Sequence, residues 1–167
     1  MQVQRPVNLK ELGAWILVGA MIPMMSLFGR DIQHFVSDNL DGGTFTLIMG
    51  GMLVVAAGAS LAWMARRRSK RALWHGLMLL GAIVLITQTI PNATEWIHFV
   101  LFGLFGLFAT RLWRPAIAVA ICLLVSGGDE VLQWFLPDRV GDPRDVLMNT
   151  AACLLGASVV LTGRQTT

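Results

Sequence analysis

The sequence predicts an all-α integral membrane protein: a single transmembrane domain over residues 1–167, folded as a compact bundle of about six transmembrane helices with both termini cytoplasmic. Composition is the first observation behind this. With 55% hydrophobic residues, 14% charged residues and a mean hydropathy of +0.64, the chain is far more apolar than a soluble domain. The second is segmentation: apolar runs approach the roughly 20 residues that a helix needs to cross hydrocarbon, and short polar stretches separate them. The third is charge placement. With the N-terminus inside, all of the 13 basic residues except Arg30, Arg139 and Arg144 fall on the cytoplasmic side, and all of the 10 acids except Glu11 fall outside. Lys and Arg in short loops orient a membrane protein in this way.

The first span, about 12–29, follows basic residues and could be mistaken for a signal peptide. No small-x-small cleavage site leads into a soluble domain, so it is expected to be retained. Pro23, within "MIPMMS", marks a kink, and the methionines around it read as flexible packing. The loop that follows is long enough for a short helix lying on the membrane surface, with Ile32, Phe35 and Val36 toward lipid and His34 solvated.

The second span, about 45–65, ends at "RRRSKR", which by itself places that loop inside. The chain's basic balance is thereby accounted for by orientation and contact with anionic membrane lipids, and nucleic acid is not an expected partner. The third span, about 73–90, is followed after only "PNATE" by the fourth, about 95–110, the shortest of the set. A re-entrant piece in place of the fourth span is the alternative there. Trp63, Trp74, Trp96, Trp113 and Trp134 stand near span ends, where indoles anchor in the headgroup region. Cys122 and Cys153 lie inside apolar runs without a CxxC partner and read as small packing residues.

Ionisable residues inside a membrane are costly and turn toward a bundle interior or a cavity. The fourth span opens with Glu95 and His98, three apart and so on one helical face. Thr94 and the helix dipole account for Glu95, but nothing local accounts for His98. The fifth span, about 115–135, ends with Ser126, Asp129, Glu130 and Gln133 within roughly a 100° arc. Two adjacent acids in an apolar setting do not both ionise readily, which makes one of them a candidate proton carrier. In the sixth span, about 145–162, Asp145, Asn149, Ala152 and Gly156 form a stripe of polar then small residues, expected to face protein at close range. On this topology Glu95, His98, Glu130, Gln133, Arg139, Asp145 and Asn149 are expected to converge at one outer depth, as a wall of an outward-facing pocket. The plainer account is a brace, in which Arg139 and Arg144 pair with Asp142, Asp145 and Glu130 to tie down a loop.

In these residues the chain resembles the VanZ-like family of small polytopic bacterial membrane proteins. An acid-xx-His pair (Glu95, His98) is followed by the pattern ExxQxFxPxR at Glu130, Gln133, Phe135, Pro137 and Arg139. DxxDxxxNxxGxxxG then follows at Asp142, Asp145, Asn149, Ala152 and Gly156. The motif region covers about residues 94–160. Ala152 stands where the family often has glycine, and Glu95 lacks the basic neighbour common beside that acid. The resemblance implies the bacterial cytoplasmic (inner) membrane, an envelope context, and a link to low-level resistance to the glycopeptide teicoplanin. It does not imply a mechanism.

The leading expectation is a protein that binds or modifies an envelope glycolipid or related anionic amphiphile. Arg139 and Arg144 would meet a phosphate, while Glu95, Glu130, Gln133, Asp145 and Asn149 would hydrogen-bond the polar head. His98 or Glu130 would serve as general base if a reaction occurs. Three alternatives stay open: an accessory subunit whose polar cluster only specifies packing, a metal-dependent membrane hydrolase using His98 with Glu95, Glu130 and Asp145, and a proton-coupled transporter. No HExxH, phosphate-binding loop, haem motif or nucleophile elbow is visible, and no cofactor or metal is expected. A homo-oligomer or larger membrane complex is compatible with the sequence.

Overall fold

The computed structural model describes residues 8–66, 70–89, 96–137, 139 and 141–164. Among them the only regular elements are six helices: α1 (Leu9–Asn39), α2 (Gly42–Ala65), α3 (Lys70–Thr89), α4 (Trp96–Leu112), α5 (Pro115–Trp134) and α6 (Pro143–Arg164). By length and apolarity α1, α2, α5 and residues Pro143–Thr162 of α6 suffice to cross a membrane, while α4 and the apolar stretch Leu73–Val84 of α3 are shorter.

Local chemistry sets the joints. Asn8 caps α1 by accepting from the Lys10 N–H, and Asp41 caps α2 by accepting from the Thr44 N–H at 2.9 Å. Pro115 opens α5, at a position where a missing N–H costs nothing. The surface helix expected after the first span is not a separate element, because residues 30–39 continue α1 for 31 residues in all. No proline or glycine lies within residues 30–39, and at 1.5 Å per residue α1 is about 46 Å long, well beyond the thickness of a hydrocarbon layer. Ile32 and Phe35 are exposed there, as expected, whereas Val36 is partly buried.

The shortest helix is the central one. Phe102, Phe105 and Ala109 of α4 are wholly or almost wholly buried, and with Val18, Ile22, Cys122 and Cys153 they form or join the core. Closeness to α6 depends on small residues. A Cβ on Gly106 would run into the Cys153 backbone, and one on Gly156 into the Gly103 backbone. The expected small stripe of α6 therefore does face protein. Trp96 departs from its expected role as an anchor, since it is buried against Leu53 of α2, while Trp74 and Trp134 stay exposed.

The helices run antiparallel in sequence order, and the Glu11–Arg111 ion pair, at 2.7 Å, ties the start of α1 to the end of α4. Lys10, Arg66, Arg111 and Arg114 gather at this basic end. Large apolar side chains on the outward faces are exposed, among them Leu17 on α1, Leu47 and Val55 on α2, Leu73 on α3 and Leu124 on α5. Such an exterior fits lipid rather than water.

Candidate functional site

About 21 Å above the basic end, at 1.5 Å per residue, α4 and α5 bring His98 and Asp129 to the same level. Asp129 is the hub of what gathers there. Its Oδ1 accepts the Ser26 hydroxyl at 2.6 Å, and its Oδ2 accepts the Gln133 side-chain amide at 3.3 Å. Nδ1 of His98 stands 3.7 Å from the same Oδ2. Gln133 also points its amide at the Ser26 hydroxyl, at 3.4 Å. Ser26, Asp129 and Gln133 are all buried, so α1 and α5 are joined by polar contacts where hydrocarbon would otherwise fill the space.

Arg139 enters from the α5–α6 connection. Its Nη2 donates to the backbone carbonyls of Met25 at 3.2 Å and Ser26 at 3.5 Å, while its Nε is buried without a partner. Gly29 makes room for it: a Cβ there would lie 2.8 Å from Nη2. Among the described residues, no carboxylate oxygen lies within ion-pair distance of this guanidinium. His98 and Arg139 together line a cavity of about 100 Å³ whose other walls include Met25, Gly29, Ile32 and Gln33 of α1 and Phe45 and Met49 of α2.

Glu130 points elsewhere. Its Oε2 accepts the Asp142 N–H at 2.9 Å, pinning the α5–α6 connection, and its Oε1 is buried without a partner. Gly141 permits that approach, since a Cβ there would lie 2.9 Å from the Glu130 carbonyl oxygen. Asp142 in turn accepts from Arg144, whose Nε donates at 2.7 Å. That contact and the Arg144 N–H hold the Asp142 carboxyl below its ordinary value.

Of the residues singled out from sequence, His98, Gln133 and Arg139 come together around Asp129. Glu130 belongs to the adjoining loop clamp. Asn149 is buried and Asp145 half-buried on α6, and the nearby Ser126 hydroxyl donates to the Val146 carbonyl at 3.0 Å. Arg144 lies apart, 81% exposed and paired with Asp142. Glu95 falls outside the described residues. Of the expected brace the Arg144–Asp142 pair is present, while Glu130 holds the same loop through the Asp142 N–H instead of an arginine and Arg139 pairs with none of these carboxylates.

One participant lies outside the residues singled out from sequence, and another was not separated there from its neighbour. Ser26 is one serine in an apolar run and carries no periodic signal. Asp129 was visible on the polar face of its helix, but only the approach of α1 distinguishes it from Glu130.

The arrangement sets a titratable imidazole 3.7 Å from a buried carboxylate, beyond direct hydrogen-bond distance. It is not a nucleophile triad, because the Ser26 proton is directed at the carboxylate rather than at the imidazole. Among the described residues, no group of three or more His, Cys, Asp or Glu side chains is placed to hold a metal ion.

A family model described as VanZ/LLP1 matches residues 12–163 of the chain. No curated protein and no solved structure matches it.

Proposed function

This chain belongs to the VanZ/LLP1 family, and from that premise we propose that it is a multi-pass protein of the bacterial cytoplasmic membrane whose outward-facing pocket binds an anionic envelope amphiphile. The apolar helices and the family together fit a multi-pass membrane protein. The orientation rests on the basic end, which the positive-inside rule assigns to the cytoplasm. His98, Asp129 and Arg139 then lie in the outer part of the bundle.

One observation carries the reading: Arg139, half-buried and without a carboxylate partner among the described residues, lines a cavity beside His98. A guanidinium withdrawn from water is costly unless an anion or a set of acceptors answers it. Its contacts to two carbonyls engage Nη2 and leave Nε unanswered. A phosphate or carboxylate headgroup has the charge and the acceptors to complete it. His98, paired with Asp129, is the group placed to take a proton from such a ligand, whereas Glu130 is committed to the loop. In this context the ligand is an envelope glycolipid, and the cellular consequence is reduced sensitivity to teicoplanin-type glycopeptides.

Native mass spectrometry of the gently extracted protein tests this. The wild type is expected to retain a defined anionic lipid that folded Arg139→Ala releases. Equal retention by both proteins, or no lipid on either, overturns the reading.

The Glu130–Asp142 clamp favours a second reading, an accessory subunit in which the polar cluster specifies packing. It is supported if Arg139→Ala and Glu130→Gln lower folded yield in parallel, with no separable loss of ligand.

A further inference from the structure

A second cavity, of about 110 Å³, lies between α2, α3, α4 and α6. At 100° per residue, its α4 lining at Val100, Gly103 and Leu107 is on the face opposite His98, so it is separate from the site above. Its wall is almost wholly aliphatic, with Leu53, Ala57, Leu79, Leu104 and Val159 among the lining residues. Ala56 and Leu104 are themselves exposed, which opens the cavity toward the apolar exterior of the bundle.

One ionisable side chain interrupts this wall. His75 of α3 is 4% exposed and starts an inward stripe with Leu79 and Ile83, at four-residue spacing. Its Nδ1 contacts the Ser158 hydroxyl. The Ser158 hydroxyl also lies 2.7 Å from the Leu155 carbonyl, and with its proton placed there its oxygen accepts from His75. In that arrangement Nδ1 carries the proton. No carboxylate lines the cavity, and an imidazolium would be a charge buried without a counter-ion. Nε2 is buried and without a partner, and in the neutral Nδ1–H form it presents a bare lone pair to the cavity. Ser60, the other polar lining residue, cannot answer it with its proton, which goes to the Ala57 carbonyl at 2.9 Å.

A buried acceptor on an apolar wall calls for a ligand that is apolar and brings one hydrogen-bond donor. The volume is below the roughly 150 Å³ that admits benzene in an engineered cavity, which favours a linear chain over a fused ring system. We propose that the α2–α3–α4–α6 cavity is a binding site for a membrane-dissolved lipid alcohol, an acyl or isoprenoid chain whose terminal hydroxyl donates to Nε2 of His75.

The test uses the full chain, labelled with ¹⁵N-histidine, in phosphatidylcholine nanodiscs, with His75→Phe assigning the resonance. The probes are 1-decanol and decane at equal mole fraction in the bilayer. The expected result is an unprotonated Nε2 signal that moves saturably with 1-decanol and not with decane. Binding should be about fivefold tighter for the alcohol, the worth of one net hydrogen bond. Ala57→Phe, which fills the cavity and leaves the His75–Ser158 contact in place, should abolish the response, with Ala57→Leu as a milder filling variant. A protonated Nε2 overturns the proposal, as does a signal that responds alike to both probes or to neither. Persistence of the response in a folded cavity-filled variant also overturns it.

Discussion

The Ser26 hydroxyl on α1 donates to the Asp129 carboxylate on α5 at 2.6 Å, joining residues 103 positions apart in the chain. Both groups are buried, and the bond sets which of the two adjacent acids on α5 faces the candidate site. Ser26→Ala would leave one carboxylate oxygen of Asp129 without its donor. The expected loss is about 1–3 kcal/mol of stability, the usual penalty for a buried group deprived of a partner. Thermal unfolding in nanodiscs measures it, and Asp129→Asn in a double-mutant cycle should show coupling with Ser26.

Gly29 separates a role in placing Arg139 from a role in folding. A methyl group there meets only the far end of a flexible side chain, at 2.8 Å from Nη2. Gly29→Ala is therefore expected to fold with near-normal thermal stability while shifting the guanidinium and weakening retention of an anionic lipid. Unchanged retention in native mass spectra would mean that the exact placement of Arg139 is immaterial.

The α4–α6 crossing predicts an ordering of glycine variants. Gly106→Ala and Gly156→Ala place a Cβ against backbone that cannot yield without parting the helices, so both should lower Tm sharply. Gly58→Ala meets nothing within 4 Å and should be neutral or stabilising by up to about 1 kcal/mol through helix propensity. Melting the three variants side by side checks the ordering.

The connection between α5 and α6 should loosen in acid. Arg144 depresses the folded-state value of the Asp142 carboxyl, so the stabilisation is full above the unfolded value of about 3.9 and is lost as pH falls through the lower folded value. Asp41, depressed by its hydrogen bonds from Thr44, acts in the same direction. Asp41 is exposed and Asp142 only partly buried, which keeps the effect small. Asp142→Asn should flatten part of the decline in stability below pH 4, measured by unfolding across that range.

The proposed orientation has a direct chemical test. Cys122 and Cys153 are buried and unpaired, and replacing them provides a background for single cysteines. Ser37→Cys should react with an impermeant thiol reagent on intact cells, and Arg66→Cys only after the membrane is opened. The reverse pattern would invert the proposed topology.

Segment by segment, the helices were legible because apolar length and periodicity are local properties. The expected fifth span at about 115–135 is α5 at Pro115–Trp134, and the polar stripe 145, 149, 152, 156 does turn inward on α6. The weakest expected span, the fourth, is the core of the bundle. It is the shortest of the set, but the smallness of Gly106, which with Gly156 lets α4 and α6 come close, has meaning only beside a partner helix.

The candidate site was legible as a set of costly residues and not as an arrangement. Sequence alone determined the apolar helices, the asymmetry of charge and the polar positions on the faces of α5 and α6, because each is a sum over neighbours in the chain. Only the tertiary structure decided that Asp129 rather than Glu130 meets His98, that Ser26 takes part, that Arg144 stays outside, and that His75 faces an apolar cavity. Those outcomes depend on which helices pack together and at what height. A side chain's hydrogen-bond partner is fixed by distances of a few ångströms across helices that the chain visits a hundred residues apart.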